Sequence, residues 1–468
     1  MDISSFRWKQ KCLCCFVDIL RNYKINGDIY IDKKIINIIS CIIKYSTLLS
    51  CGVKDIKLIN ETILKYTPNS MIILSYDSKD LYTSLDIPNN IKLFFYPKIP
   101  DFIVNEEYEI LDLGFIPIDT DVLSLEDNKT LNIFGINGCD LNQLVKYLLD
   151  IFNIYGYPSN IQANGHISNT IANIIINKTK YDIANINWNI DEIYTEQLFE
   201  NLIIIDRVND WDNFFQIGSN YESLLDYIYG IKQSRLLIDN NINNTLVLSE
   251  DIIFPEIKNK KLDELGKILF DKIDTIKKFY NNRNNLKTLS EFSEYVLQIP
   301  QYKQQHHSIE KHIIYCQEIQ QYLSNHIAKD IIVNEIIPEV NLIMDLINKT
   351  KSNTEIFRYI CWYLQKTNDK KSYNQIKNLL NYLPFDNFQI LEKLGIYEEK
   401  KHNPKKYFSY KMIRSININI KENTMIFIIG GTTYHELFKL RQKYPKSLIL
   451  TTNVWNMENF YEATSMFE

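Results

Sequence analysis

Two stretches of the sequence place polar side chains where chemistry is often found, at the carboxyl end of an apolar run. Asp206 and Arg207 directly follow the run 202–205, which is too short for a helix and predicts a strand buried on both faces. Open α/β sheets usually bind ligands at this end of their strands. The pair could therefore serve catalysis, but we favour an ion pair that locks loop to sheet, because structural ion-pair networks occupy such positions too.

The second stretch contains Gly430 and Gly431, which follow the apolar run 425–429. A strand, paired glycines and a helix suggest a phosphate-binding turn, but a Walker loop ends in Gly-Lys-Ser/Thr and this one does not. Thr433 and Glu436 instead have the spacing of a capping box, which stabilises a helix by about 1 kcal/mol. We therefore interpret the glycines as a tight strand-to-helix turn and expect no cofactor and no catalytic residue.

Three groups of side chains could in principle hold a metal ion: Asp119 with Asp121; Cys12, Cys14 and Cys15; and His306, His307, His312 and Cys316. The carboxylates lack further acids at loop spacing, and the cysteines lack a second pair at zinc spacing. His312 and Cys316 fall on an apolar helical stripe. We therefore predict that none of the three groups holds a metal. Asp119 and Asp121 are interpreted as a charged connector. His312 and Cys316 are expected to form a pair in the core, with His306 and His307 exposed.

Composition restricts the class of protein. A chain of 468 residues predicts two to four domains, and 45% hydrophobic residues predict globular ones. The formal charge of −5 gives no footprint for nucleic acid. Eight cysteines without framework spacing favour a reducing cytosol. The sequence has no signal-peptide pattern and no apolar run long enough to span a bilayer, so we expect any membrane contact to be indirect, through partners.

Apolar periodicity predicts the elements that position these residues. Helices are predicted at 16–25, 34–45 and 53–66, and short strands at 71–74, 91–96, 108–113 and 115–118, an alternation typical of a parallel sheet. Further strands are expected around Ile161 and at 202–205, 245–248, 415–420 and 425–429. From 262 to 394 the pattern is helical, with helices at 355–364, 373–383 and 388–394. The lysines of 258–261 and 277–278 are interpreted as solvated.

The block 202–231 resembles a signature of the Sec/Munc (SM) family, soluble regulators of SNARE-driven membrane fusion. The matching residues are Asp206, Arg207, Asp210, Tyr221, Glu222 and Gly230, whereas Asn213-Phe214-Phe215 stands where the family has Thr-Pro-Leu. The run 427–437 is similar to a second signature through Gly430, Gly431, Thr433, Tyr434 and Glu436. The resemblance implies that both sets are structural.

The stretches 116–126 and 155–173 resemble one branch of the family, the vacuolar-protein-sorting thirty-three type, and Leu440 with Arg441 favours the same branch. This resemblance implies a non-enzymatic subunit of HOPS and CORVET tethering complexes. Its partners would be syntaxin-type and other SNAREs and a vacuolar-protein-sorting sixteen-type subunit. It would be cytoplasmic and peripheral on endosome and vacuole or lysosome membranes.

The run 292–316 resembles the helical hairpin with which the family receives a SNARE coiled coil. The residues assigned to SNARE binding by this resemblance are Pro300, Tyr302, Lys303, Ser308, Ile309 and Ile313. Pro300 is expected to bend the segment, because proline removes a helical hydrogen bond and disfavours helix at Ile299. If Ile313 faces out, Ile313→Arg should weaken SNARE binding and leave the thermal midpoint nearly unchanged.

The resemblance covers nearly the whole chain and implies a three-domain α/β arch, in which two parallel-sheet lobes carry a mainly helical domain inserted in the second. The predicted domains are 1–112, then 113–230 with 411–468, and then 231–410 with the hairpin near 289–350. Two alternatives remain open. One is another SM branch, acting at the plasma membrane or Golgi. The other is a nucleotide-dependent α/β enzyme or hydrolase that uses Asp206, Arg207 and the 430–433 turn.

Overall fold

The computed structural model describes most of the chain. The described residues are 4–59, 66–88, 90–100, 108–130, 141–185, 198–207, 211, 213–236, 246–349, 352–366, 407–411 and 423–465. Several expected features lie outside them: Asp210, the helices at 373–383 and 388–394, and the strand at 415–420.

The first sheet is built from short apolar strands near the start of the chain. Its order is β2-β1-β3-β4-β5 with all pairs parallel, the strands being β1 (Ile29–Ile31), β2 (Ile56–Leu58), β3 (Met71–Ser75), β4 (Lys92–Tyr96) and β5 (Glu109–Ile110). The helices in this part are α1 (Phe6–Asn22), α2 (Ile36–Ile42), α3 (Tyr45–Ser50) and α4 (Lys79–Ser84). Parallel neighbours require crossover connections, which explains why helix and strand patterns alternate here.

The helix predicted at 53–66 is wrong in its described part. Strand β2 pairs in parallel with β1, with Ile56 opposite Ile29 and Leu58 opposite Ile31. The apolar spacing of Ile56 and Ile59 suited a helix, but β-branched residues also favour strands, and an unpaired edge of β1 was available. Tertiary pairing therefore decided the conformation.

The second sheet joins strands from two distant parts of the sequence. Its seven strands have the order β12-β8-β9-β13-β14-β7-β6. They are β6 (Ile116–Asp119), β7 (Val122–Ser124), β8 (Asn160–Asn164), β9 (Asn201–Asp206), β12 (Tyr407–Lys411), β13 (Thr424–Ile429) and β14 (Ser447–Thr451). The helices in these parts of the chain are α5 (Leu141–Tyr155), α6 (His166–Asn185), α7 (Tyr221–Tyr229), α14 (Tyr434–Lys443) and α15 (Met457–Ser465). The predicted boundary at 411 falls on the last residue of β12, so this strand begins earlier than that boundary allows.

Between these two parts of the sheet the chain is mainly helical. A two-stranded hairpin, β10 (Ile231–Lys232) and β11 (Arg235–Leu236), precedes the helices. The helices are α8 (Phe254–Ile257), α9 (Leu262–Asn282), α10 (Leu289–Asn325), α11 (Lys329–Asn334), α12 (Val340–Lys349) and α13 (Asn353–Lys366). The strand predicted at 245–248 is reduced to one bridge between Val247 and Arg235. Helices α9 and α10 pack on each other and form a helical hairpin.

Helix α10 continues through Ile299 and Pro300, although proline disfavours helix at the residue before it. Proline removes only the hydrogen bond to the carbonyl of Val296, and Val296 is 45% exposed, so water can hydrate that carbonyl. The helix is also fixed at its start by a capping box between Thr288 and Glu291. Phe279 of α9 stacks on Tyr302 at 3.7 Å between ring centroids, which holds the following turn in place.

The second sheet is buried on both faces, and β13 shows this most clearly. Met425, Phe427 and Ile429 belong to a core shared with the first sheet and its helices. Ile426 and Ile428 point the other way, into a core shared with α7 and the helical region. The alternation of a strand thus connects both halves of the molecule through one central layer.

Candidate functional site

The strand-end pair Asp206 and Arg207 is buried, and both side chains make hydrogen bonds within the protein. The Arg207 guanidinium, 2% exposed, donates from Nε to the carbonyl of Gly431 at 2.8 Å and from Nη1 to Glu436 Oε1 at 2.7 Å. Its second Nη group binds Glu436 Oε2. The guanidinium lies 5.0 Å from the centroid of Phe214, in the segment that departs from the family signature. The hydrogen-bond donors of the Arg207 guanidinium are therefore engaged with groups of the protein itself.

Asp206 holds the start of a helix. Its Oδ2 accepts a hydrogen bond from the backbone N–H of Ser168 at 3.0 Å, in the first turn of α6. A carboxylate at this position satisfies an otherwise unpaired N–H and complements the helix dipole. Gly165 has a φ of +117°, and a Cβ there would approach Asp206 Oδ2 to 2.0 Å. The carboxylate thus sits where only glycine leaves room for it.

The double glycine makes room for a tryptophan. Gly431 has a φ of +91°, and a Cβ on it would lie 2.1 Å from Nε1 of Trp455. The Trp455 indole donates to the carbonyl of Gly430 at 2.9 Å. The predicted capping box is confirmed, since Thr433 Oγ1 accepts from the N–H of Glu436 and Glu436 accepts from the N–H of Thr433. The Trp455 indole and the Glu436 carboxylate thus occupy the space beside this turn, where a phosphate-binding turn would hold its ligand.

A buried ionic network lies next to this turn. Arg441 donates to Glu222 Oε2 at 2.6 Å, to Asp121 Oδ2 at 2.7 Å and to Asp119 Oδ2 at 2.8 Å. Lys258, 5% exposed, donates to Asp119 at 2.6 Å, so its prediction as a solvated lysine is wrong. Although burial opposes it, the charges of Arg441 and Lys258 hold the pKa of Asp121 well below its usual range. Asp119 and Asp121 therefore form the charged connector expected from the sequence.

The cavity beside this network is too small for a cofactor. It measures about 10 Å³ and is lined by Asp119, Glu222, Tyr434 and Arg441 among others. That is about the space of one water molecule, whereas small-molecule sites measure some hundreds of Å³. Among the described residues there is no cluster of three or more His, Cys, Asp or Glu side chains that could hold a metal. His306 and His307 are exposed, as expected.

Asp251 anchors the middle of α10. Its carboxylate accepts from Ser308 Oγ at 2.7 Å and lies 3.2 Å from His312 Nε2, and the other ring nitrogen of His312 lies 2.9 Å from the Tyr221 hydroxyl. Burial opposes it, yet hydrogen bonds from His312 and Ser308 lower the pKa of Asp251 to about 2. His312 is a core residue, as predicted. The periodicity of α10 could not reveal Asp251, because Asp251 lies in a loop that is far from α10 in the sequence although it contacts α10 in the structure.

The residues assigned to SNARE binding divide into two groups. Ser308 and Ile309 are 6% and 1% exposed and form the anchor of α10, so a partner cannot reach them. Ile313 is half-buried and packs against the core.

The N-terminal half of α10 carries the accessible residues. Pro300 and Lys303 are exposed, and Tyr302 is half-buried under Phe279. Phe292 and Val296, which the sequence-based assignment missed, are 49% and 45% exposed. Residues 292, 296, 300 and 303 share one side of the helix, which we call the α10 face.

A buried carboxyl in α7 predicts a pH dependence of stability. Asp226 Oδ1 accepts from the N–H of Ile231 at 3.0 Å, and burial, against the charge of Arg358, raises its pKa to about 7. A carboxyl with a raised folded pKa stabilises the fold below its unfolded pKa, and this contribution is lost as the pH rises through 7. We expect this group to lower the free energy of unfolding by about 1 kcal/mol between about pH 6 and 8.

Urea unfolding at several pH values measures this slope. Asp226→Asn should flatten it, while Asp271→Asn, at an exposed position of α9, should not. An unchanged slope in Asp226→Asn would mean that the carboxyl titrates normally.

Comparisons with known proteins show what this chain is similar to. The model of the Sec1 family matches residues 28–423. Vacuolar protein sorting-associated protein 33A of Rattus norvegicus is 25% identical over 231 residues, which cover 45% of this chain and 37% of that protein. The chain thus aligns with less than half the length of this relative.

Two solved structures have the same fold. The SM protein Vps45 in complex with the Qa SNARE Tlg2 gives a TM-score of 0.63 at 13% identity, over 99% of this chain and 98% of that chain. Sly1p in complex with an N-terminal peptide of Sed5p gives 0.67 at 14% identity, over 99% of both chains. The α/β fold class expected from the sequence is confirmed. No helix within the described residues is long and apolar enough to cross a membrane.

Proposed function

Because the chain belongs to the Sec1 family, we propose that it is a non-enzymatic protein that binds and templates SNAREs for vesicle fusion. We further propose that it acts at endosomes and the vacuole or lysosome, as a cytoplasmic, peripheral subunit of a HOPS/CORVET-type tethering complex. The similarity to the rat sorting protein supports this branch.

The observation that carries the proposal is the α10 face. Phe292, Val296 and Pro300 follow one another at four-residue steps, remain accessible, and are succeeded by the exposed Lys303. A row of exposed apolar side chains along a helix is the surface that an amphipathic helix such as a SNARE motif needs. The N-terminal half of α10 is held against α9 by Phe279, whose ring centroid lies 4.6 Å from that of Tyr295 and 3.7 Å from that of Tyr302.

Templating follows from the rigidity of this surface. A SNARE motif that is disordered when free loses conformational entropy when it folds on a partner. A preformed helical face orders part of the SNARE motif before the SNARE bundle assembles, so less conformational entropy is lost during assembly. The same face favours the correct register of the SNARE motifs relative to one another. The anchor at Asp251, Ser308 and His312 holds α10 against the loop that contains Asp251.

We expect Val296→Asp to weaken binding of a syntaxin-type SNARE motif by about tenfold or more, because a charge would replace an apolar contact. Val296 is half exposed, so the thermal midpoint should stay nearly unchanged. Gln320→Asp, an exposed position of α10 beyond the α10 face, is the matched control. Ile313→Arg should instead lower the midpoint, because Ile313 packs on the core. Equal affinities of Val296→Asp and Gln320→Asp would argue against the α10 face.

The tethering role needs a separate test. Pull-down of the vacuolar-protein-sorting sixteen-type subunit, against a panel of syntaxin-like SNAREs, distinguishes the proposed branch from one acting at the plasma membrane or Golgi. We place the contact with this subunit on the second and third domains, away from the hinge at residues 300–302. Capture of a plasma-membrane syntaxin without the tether subunit would favour the other branch.

A nucleotide-dependent enzyme is the rival from another class. ATP or GTP binding that disappears in Gly430→Ala would support it. The contacts of Trp455 with Gly430 and of Arg207 with Glu436 favour the non-enzymatic role, because they occupy the Gly430 carbonyl and the Glu436 carboxylate with groups of the protein itself.

A further inference from the structure

The connection between α9 and α10 has a charge opposite to that of the whole chain. We define the hairpin tip as residues 277–290. Within it there is no Asp or Glu, and the basic residues are Lys277, Lys278, Arg283 and Lys287, all exposed. The formal charge of the whole protein is −5, so this concentration of positive charge is local. Such a segment attracts anionic surfaces.

The acidic residues nearest to the hairpin tip in sequence lie outside it, with Asp271 and Asp274 before it in α9 and Glu291 and Glu294 after it in α10. Asp274 pairs with Lys278 at 2.7 Å between Oδ2 and Nζ. Glu291 turns back to the chain, where its carboxylate accepts from the N–H groups of Lys287 and Thr288 at 2.8 and 3.1 Å. Lys277, Arg283 and Lys287 therefore face solvent with no acidic partner within the hairpin tip itself.

Apolar side chains are exposed at the same end. Leu289 is 90% exposed and Tyr280 is 41% exposed. The first α10 residue buried away from α9 is Ser308, which lies roughly 28 Å along the helix axis from Leu289 at a rise of about 1.5 Å per residue. The hairpin tip thus presents Leu289 at the start of α10, and Tyr280 and the cations along the end of α9 and the connection.

This arrangement suits a flat anionic surface. An amphipathic partner helix needs a row of apolar contacts along a helix, as the α10 face offers, whereas the hairpin tip offers mainly exposed cations with one tyrosine and one leucine. Tyrosine and leucine beside lysine and arginine are the side chains that enter the headgroup region of a membrane. We propose that the hairpin tip binds the anionic phospholipid surface of a membrane directly, in addition to the contact through partners expected from the sequence.

Vesicle flotation tests the proposal. The full chain should float with vesicles of equimolar phosphatidylcholine and phosphatidylserine, and not with phosphatidylcholine alone. Reversing Lys277 and Arg283 to Glu should lower the affinity by about 25-fold or more, since each cation near an anionic membrane contributes about fivefold. Leu289→Ser should lower it further, and salt should weaken binding. The matched control is Lys443→Glu with Lys446→Glu, an equal change of charge at exposed positions near the end of α14.

The outcomes separate this proposal from SNARE binding. Vesicle binding that is equally strong in the tip variant and the control variant would overturn it. So would a tip variant that loses an acidic SNARE peptide while floating normally, because the partner would then be a protein. If vesicle binding is lost while Val296→Asp behaves as predicted toward SNAREs, the lipid contact is a separate function of the hairpin tip.

Discussion

Replacing Glu436 by alanine should lower the free energy of unfolding by about 3–5 kcal/mol, the cost of leaving one partner of a buried ion pair alone. Glu436 is 8% exposed and binds both terminal nitrogens of Arg207, which is 2% exposed. Without the carboxylate, the guanidinium remains buried and loses the ion pair with Glu436, while its contacts with the carbonyl of Gly431 and the ring of Phe214 stay. The capping box of α14 is lost as well. Urea unfolding followed by circular dichroism measures the loss.

An exposed glutamate provides the control for this prediction. Glu264 lies 4.0 Å from Lys260, and both side chains are about half exposed. Exposed pairs contribute about 0–1 kcal/mol, so Glu264→Ala should change stability little. A loss in Glu436→Ala no larger than in Glu264→Ala would show that Arg207 does not depend on this carboxylate. Replacing Arg207 and Glu436 together with leucine should cost less than the single Glu436 change.

Gly431→Ala should lower the free energy of unfolding by about 2–4 kcal/mol, because two effects add. The residue has a φ of +91°, which disfavours any side chain, and the new Cβ would meet the Trp455 indole at 2.1 Å. The backbone carbonyl of Asn453, 3.1 Å away, limits how far the chain can yield. Thermal or urea unfolding measures the effect, and the protein should bind neither ATP nor GTP before or after the change.

Gly52 separates the two effects. Its φ is +97°, yet a Cβ there would meet nothing within 4 Å, so Gly52→Ala should cost only the backbone term of about 1–2 kcal/mol. Equal losses in the two variants would mean that Trp455 does not occupy the space beside Gly431. In a Trp455→Ala background, the cost of Gly431→Ala should approach that of Gly52→Ala, since neighbouring effects are not additive.

Local patterns were sufficient where a residue interacts with its own neighbourhood. Thr433 and Glu436 predicted the capping box that the structure contains, and His312 on an apolar stripe predicted a core histidine. Local patterns failed where a distant strand or helix decided the outcome. Residues 56–58 became a strand because β1 offered an edge, and Ile299 stayed helical because α9 supports the turn around Pro300.

The sequence by itself determined the capping box of α14, the buried strand at 425–429 and the family signatures, since these depend on side-chain types at short spacing. Only the tertiary structure decided which residues of α10 a partner can reach. Ser308 and Pro300 lie on the same helix and carry equal weight in the motif, yet Ser308 is buried against Asp251 whereas Pro300 is exposed. Accessibility depends on which chain segments pack against each face, and those segments are far apart in sequence. Spacing along one helix cannot specify them.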